Sequence, residues 1–244
     1  MSARPLTFGS LLAVLALVAC QPAVGDDDKA FGERVRAYLL AHPEVLQEAS
    51  EKLQAKLDAQ EAEAERKALV DLPKLRGALE HDPRDFVANP NGAITVTEFY
   101  DYRCPHCANA APKVLDLIRN HPDIRFVFKE MPIFGATSEH AAMAAMAVQK
   151  DKGDYLGLYQ AFMTTHPLDD VAIDRIAAEK GAHLADISPG SASTARLADT
   201  AALFKRLSLT GTPTFVVGDQ IIQGEDIDAL DKAIAQTRRS SAKG

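Results

Sequence analysis

The sequence predicts an α/β protein preceded by a helical N-terminal segment. Three observations carry this prediction. A β-branched and aromatic run, Ile94 to Tyr100, leads directly into Cys104-Pro105-His106-Cys107 and a helical pattern that reaches about Asn120. A second apolar run at 124–129 and a hairpin pattern from Thr214 to Ile222 supply further strands, with helical stretches between and after them. Ahead of all these lies a charged stretch, from about Ala30 to Leu72, whose apolar residues recur at helical spacing.

The chain of 244 residues is 47% hydrophobic and 25% charged, enough apolar material for a core without disulfide staples. Its net charge of −7 offers no basic stripe, which argues against nucleic acid as a partner. With no Trp and only 6% aromatic residues, an aromatic binding platform is not expected.

Each element follows in order. Met1 to Pro5 carries one positive charge and precedes a short apolar run from Leu6 to Val18, the layout of an export signal. The run is shorter than the ~20 residues of a spanning helix. Leu17-Val18-Ala19-Cys20 resembles the bacterial lipobox, so residues 1–19 are expected to be a lipoprotein signal and Cys20 the lipidation site. Ordinary cleavage near Ala19 or Gly25 is the alternative. Residues 20–29 are short, polar and acidic, and are expected to form a tether. The segment 30–75 reads as two helices parted at His42-Pro43, with Pro43 opening the second. Glu48 with Lys52 and Glu63 with Lys67 stand at i,i+4. The apolar stripe of Leu46, Leu53 and Leu57 is too narrow for a monomer core and points to packing on the next domain or self-association.

The domain at 76–238 begins with a short helix after Pro73 and an edge strand at Phe86-Val87-Ala88. The turn cluster Asn89-Pro90-Asn91-Gly92 then leads into the strand Ile94–Tyr100. After the strand at 124–129, helices are expected at 138–150, 154–164, 169–180 and 191–207. The hairpin turns at Gly218-Asp219, and a last helix runs from 226 to 238. His140, Met143 and Met146 sit at helical spacing among alanines and read as core packing.

The chemistry centres on Cys104 and Cys107. Pro105 lacks an N–H and favours the first helical position, which makes Cys104 the N-cap and Cys107 the N3 residue. N-cap and N3 side chains lie side by side, so the two sulfurs can form a redox-active disulfide without moving the backbone. Unpaired N–H groups and the helix dipole stabilise a thiolate at the N-cap, and His106 and Arg103 are expected to add positive charge. Cys104 is then the exposed attacking thiol and Cys107 the resolving one. A purely structural disulfide would close too short a loop to stabilise much. A zinc site wants four ligands, and no second Cys/His pair is present. No metal and no cofactor are expected. Pro112 should kink the same helix. Along the preceding strand Ile94, Val96, Glu98 and Tyr100 share a face. Burial there would raise the proton affinity of Glu98 and suit it to accept a proton from Cys107; an edge-exposed Glu98 without a role is the alternative.

With its export signal, strand and Cys-Pro-His-Cys tetrapeptide, the sequence resembles the DsbA family of thiol:disulfide oxidoreductases over residues 76–238. The resemblance implies a thioredoxin-like fold with a helical insertion at about 137–208. It also implies that Gly211-Thr212-Pro213-Thr214-Phe215 carries a cis-proline loop facing the disulfide, with Thr212 and Pro213 binding substrate. The family has a buried acid six residues before its first cysteine, where Glu98 stands. Tyr38-Leu39-Leu40-Ala41-His42-Pro43-Glu44-Val45-Leu46 is similar to the N-terminal region of ScsC-type members, some of which form trimers and shuffle incorrect disulfides.

The expected function is therefore an exported thiol:disulfide oxidoreductase with Cys104, Cys107, Pro105, His106 and Glu98 as its catalytic set. Its expected partners are envelope proteins bearing thiols or disulfides, a membrane redox partner, and further copies of itself in a trimer. Its expected location is the periplasm, lipid-anchored to the outer membrane. The expectation leans to disulfide isomerase. The alternatives are a DsbA-like dithiol oxidase, a copper-handling protein using Cys104, Cys107 and His106, and an inert structural lipoprotein.

Overall fold

The computed structural model describes residues 26–187 and 189–241. The expected signal at 1–19 and Cys20 lie outside the described residues. The chain divides into two compact units between Leu57 and Asp58.

The first unit is helical. Helix α1 spans Asp26–Ala41, and α2 opens at Glu44 after the His42-Pro43 break. Residues 26–29, expected in the tether, are already helical: the Asp27 and Asp28 side chains in the first turn complement the positive end of the helix. No described residue of this unit is buried. Phe31, Tyr38, Leu40, Leu46, Leu53 and Leu57 are all exposed, Leu40 to 66%.

The second unit starts within α2, which continues to Glu80 with Pro73 inside it. The separate short helix expected after Pro73 does not form, and the domain boundary expected at 75/76 falls inside α2. The physical reason is burial. Ala68, Leu72, Leu75 and Leu79 lie at i, i+4, i+7 and i+11 and are all buried. An internal proline costs a helix ~3 kcal/mol, while each buried leucine contributes ~1.5–3 kcal/mol, so three leucines outweigh it.

Beyond α2 come β1 (Phe86–Ala88), β2 (Ile94–Tyr100), α3 (Pro105–Asn120) and β3 (Ile124–Glu130). Helices α4 (Ala136–Lys150), α5 (Tyr155–Thr164), α6 (Asp170–Glu179) and α7 (Ser191–Arg206) follow. The chain closes with β4 (Thr214–Val217), β5 (Gln220–Gln223) and α8 (Ile227–Ser241). The five strands form one sheet in the order β1-β3-β2-β4-β5. β2 and β3 are parallel, joined through α3; the other pairs are antiparallel. Gly92 is required before β2, because a Cβ there would stand 2.4 Å from the Arg125 backbone nitrogen. Gly218 (φ +55°) opens the β4–β5 turn.

The central strands are buried on both faces. Ile94, Val96, Tyr100, Phe215 and Val217 join the core with α3, α4, α5 and α8. Phe99 and Val216 point the other way, into a second cluster with Leu72, Leu75 and Leu79 of α2 and Leu203, Phe204 and Leu207. A buried ion cluster ties the edges of this second layer. Lys129 pairs with Asp85 and donates to the Ala78 carbonyl at 2.6 Å, and Arg196 of α7 donates to Glu130 at 2.6 Å. Met143 is buried as expected, but Met146 is only partly so, and His140 is half-buried and bound to Asp174 at 2.8 Å rather than packed in the core.

Candidate active site

Helix α3 begins at Pro105, with Cys104 as its N-cap in extended conformation (φ −77°, ψ 119°). Cys107 sits at N3 and is fully buried. Both are free thiols in this structure. Cys104 donates its Sγ–H to the Thr212 carbonyl at 3.1 Å. The Thr212–Pro213 bond is cis, and the buried Thr212 hydroxyl, which has no other partner among the described residues, is placed to donate to Cys104 once that sulfur is a thiolate.

These surroundings favour the Cys104 thiolate. The neighbouring Cys107 thiol, the Thr212 hydroxyl and the backbone N–H groups of Cys107 and His106 hold Cys104 down at about 5, against the opposing effect of burial. Burial, contact with Cys104 and the charge of Glu98 push Cys107 far above the ordinary thiol range. One sulfur is thus a stabilised anion and its neighbour a retained thiol.

Glu98 lies on β2 between Phe128 of β3 and Phe215 of β4, and is fully buried. Burial pushes it up to about 8. The edge-exposed alternative is therefore excluded.

Two expectations are corrected. Cys104 is not an exposed residue: it is 2% exposed, set between exposed Arg103, Pro105 and His106. Nor do Arg103 and His106 lend the thiolate their side-chain charge. The His106 ring meets Glu225 at 3.2 Å, and the Arg103 guanidinium donates to the Phe134 carbonyl at 3.3 Å. His106 acts on Cys104 through its backbone N–H. The reason is geometric: the N-cap presents backbone donors, while the N1–N2 side chains splay outward.

Three contributors escaped the sequence reading. Asp101 is buried; its carboxylate accepts from Arg103 N at 2.8 Å, Ile133 N at 2.7 Å and Phe134 N at 3.1 Å. It clasps the cysteine loop to residues 131–135, in which the Ile133 and Phe134 side chains are exposed. An Asp accepting from the backbone N–H two residues on was a legible turn signal; the clasp to 133 and 134 was not. Tyr159 of α5 reaches Glu98. Finally, the Tyr100 hydroxyl bonds those of Tyr102 at 2.9 Å and Tyr155 at 2.8 Å, and Tyr155 donates to Glu130 at 2.6 Å. A pocket of about 500 Å³ lined by Met143, Met146, Gln149 and Arg196 includes none of the thiol-site residues. Among the described residues no three His, Cys, Asp or Glu side chains gather to hold a metal ion.

A low-lying N-cap thiolate beside a buried thiol, facing a cis-proline loop on a mixed sheet, defines the thiol–disulfide oxidoreductases of thioredoxin fold. Residues 95–235 match the DSBA-like thioredoxin domain, and the chain belongs to that family. Residues 27–60 match the copper resistance protein ScsC N-terminal domain. A thioredoxin-like oxidoreductase from Silicibacter pomeroyi is 34% identical over 67% of this chain and 98% of its own, with a TM-score of 0.62. Proteus mirabilis ScsC in a transitional conformation is 26% identical over 88% of this chain and 97% of its own, with a TM-score of 0.64. A Na(+)/H(+) antiporter NhaA 3 from Salinispora tropica is 31% identical over 170 residues, 63% of this chain. The chain spans about 25% of the length of the curated relatives it matches.

Proposed function

We propose that the protein exchanges disulfides with envelope proteins in the periplasm, anchored through a lipid on Cys20 to the outer membrane, and that it acts chiefly as a disulfide isomerase. The observation that carries the exchange chemistry is the pairing of a Cys104 held at about 5 with a buried, protonated Cys107. The Cys104 thiolate attacks a client disulfide; one client sulfur joins Cys104 and the other leaves as a thiolate. Another client thiolate then attacks the client sulfur bonded to Cys104; a new client disulfide forms as the Cys104–client bond breaks, and the Cys104 thiolate leaves with the client's pairing rearranged. Alternatively Cys107 resolves the mixed disulfide and leaves Cys104–Cys107 oxidised.

The lean to isomerase rests on the N-terminal unit. It presents unburied Phe31, Tyr38, Leu40, Leu46 and Leu53, and it matches the ScsC N-terminal region. Assembly of several copies, as a trimer, supplies these residues with a partner surface. The periplasmic location rests on the export-type signal read at residues 1–19.

A second reading, a dithiol oxidase re-oxidised by a membrane partner, is favoured by the thiolate itself, since a stabilised thiolate makes an oxidising disulfide. Scrambled, fully oxidised ribonuclease separates the two, tested with the full chain and with a version beginning at Asp58. Recovery of activity with the full chain alone is expected. If neither recovers it, while both oxidise reduced ribonuclease, the protein is an oxidase.

A further inference from the structure

Glu98 has no access to water, and one hydroxyl reaches it. Tyr159 Oη donates to Glu98 at 3.4 Å from Oε1 and 3.3 Å from Oε2. From the elements packed around Glu98, α3 presents the Cys107 thiol, α5 the Tyr159 hydroxyl, and β3 and β4 the apolar Phe128 and Phe215. No Lys, Arg or His is among the groups that act on it. Tyr159 is fully buried, its ring packed edge-to-face against Tyr100, Tyr102 and Phe128. A phenylalanine would pack there equally well, and a buried hydroxyl is costly unless it is bonded. Its hydrogen bonds among the described residues go to Glu98.

We propose that Tyr159 is a positioning residue of this exchange: its hydroxyl holds Glu98 and so governs the proton transfer from Cys107 that resolves the mixed disulfide. The inference rests on the thiol–disulfide reading of the site. In the resolving step the Glu98 carboxylate takes the proton of Cys107 Sγ. The Cys107 thiolate attacks Cys104 Sγ; the Cys104–Cys107 bond forms as the Cys104–client bond breaks. The client sulfur leaves with the electron pair of that bond and is protonated by solvent. The two enzyme cysteines are oxidised and the client sulfur is reduced.

The sign follows from the donor. A hydroxyl donating to a carboxylate favours its charged form, so Tyr159 opposes the burial that pushes Glu98 up to about 8. Without the hydroxyl the carboxylate has no hydrogen-bond partner, and Glu98 keeps its proton to higher pH. The helical insertion thereby contributes a polar group to the thiol site as well as packing.

The test uses the reduced full chain and oxidised glutathione across a pH series. The glutathione adduct at Cys104 is trapped with acid, and its decay is followed by mass spectrometry. Tyr159→Phe is expected to move the midpoint of the decay rate upward by about one pH unit. At neutral pH its decay should be about threefold slower, a stronger base partly compensating for a rarer one. Adduct formation at Cys104 should be unchanged. In a Glu98→Gln background the same substitution should shift nothing. Replacing Tyr159 with 3-fluorotyrosine, a stronger donor, should move the midpoint downward and decides the matter alone should Tyr159→Phe not fold. An unmoved midpoint, or an equal shift with and without Glu98, overturns the proposal. A wild-type chain that forms no adduct overturns the thiol–disulfide reading first, and this inference with it.

Discussion

A carboxyl group sealed from water trades fold stability for a proton held ready near neutral pH, and Glu98 shows the balance. Its value in the folded chain, about 8, stands above the ordinary value of ~4.3 in an unfolded one. Its favourable contribution is therefore complete below ~pH 4.3 and is lost as pH rises through about 8. Glu98→Gln should match the parent near pH 4 and exceed its stability by roughly 2–4 kcal/mol above pH 8, even as it slows resolution. Denaturant unfolding at the two pH values checks this, and an equal difference at both would remove the linkage. Cys104 has the opposite sign. Its folded value of about 5 lies below the unfolded ~8.5, so its contribution to the reduced protein is full above ~8.5 and lost as pH falls through about 5. The stability gap between reduced parent and Cys104→Ser should close at pH 4.5 and open by pH 8, and thiolate absorbance should titrate near the lower value. Local rules made these residues legible. N-cap and N3 spacing placed the cysteines, and period-two counting placed Glu98 on a shared face. Asp101 and Tyr159 could not be read in the same way, because their decisive contacts span 32 and 61 positions of sequence.

Helix α2 shows where element rules reach their limit. Pro73 signals a helix end under local propensity, and the expected boundary at 75/76 followed from that signal. The chain nevertheless continues helical to Glu80, because Leu72, Leu75 and Leu79 fill a layer with Phe99, Leu203 and Phe204. Nothing within the segment reveals that layer; it exists only once β2 and α7 are in place. The two ends of α2 should accordingly answer mutation differently. Leu79→Ala, at a position 1% exposed, should cost about 2–5 kcal/mol of unfolding free energy. Leu53→Ala, at a position 58% exposed, should stay within about 0.5 kcal/mol under dilute conditions where copies do not meet. Chemical denaturation of both variants tests the contrast, and a large loss from Leu53→Ala in a monomer would contradict it. The strands and insertion helices fared better, since their apolar periods and turn residues are local. β2, α3 and the β4–β5 hairpin fall within a residue or two of their expected bounds.

At the scale of the whole molecule, the choice between oxidase and isomerase turns on how long a client stays within reach of reactive sulfur. One thioredoxin-fold site can form a mixed disulfide, and Cys107 can then release the client before it rearranges. Several sites in one assembly raise the local concentration of thiolate around a tethered client, so a released client meets another Cys104 before it diffuses away. The exposed leucines of the N-terminal unit are the means of assembly that this argument requires. Leu46→Lys combined with Leu53→Lys places charges in the stripe, where a shared core cannot accept them. Sedimentation equilibrium should find the parent multimeric and the double variant monomeric. The monomer should lose most of its capacity to rescue scrambled ribonuclease while oxidising reduced ribonuclease at an undiminished rate, because Cys104 and its backbone donors belong to the second unit. A monomeric variant that rescues scrambled ribonuclease as well as the parent would separate isomerisation from assembly and leave the N-terminal helices without a part in the chemistry.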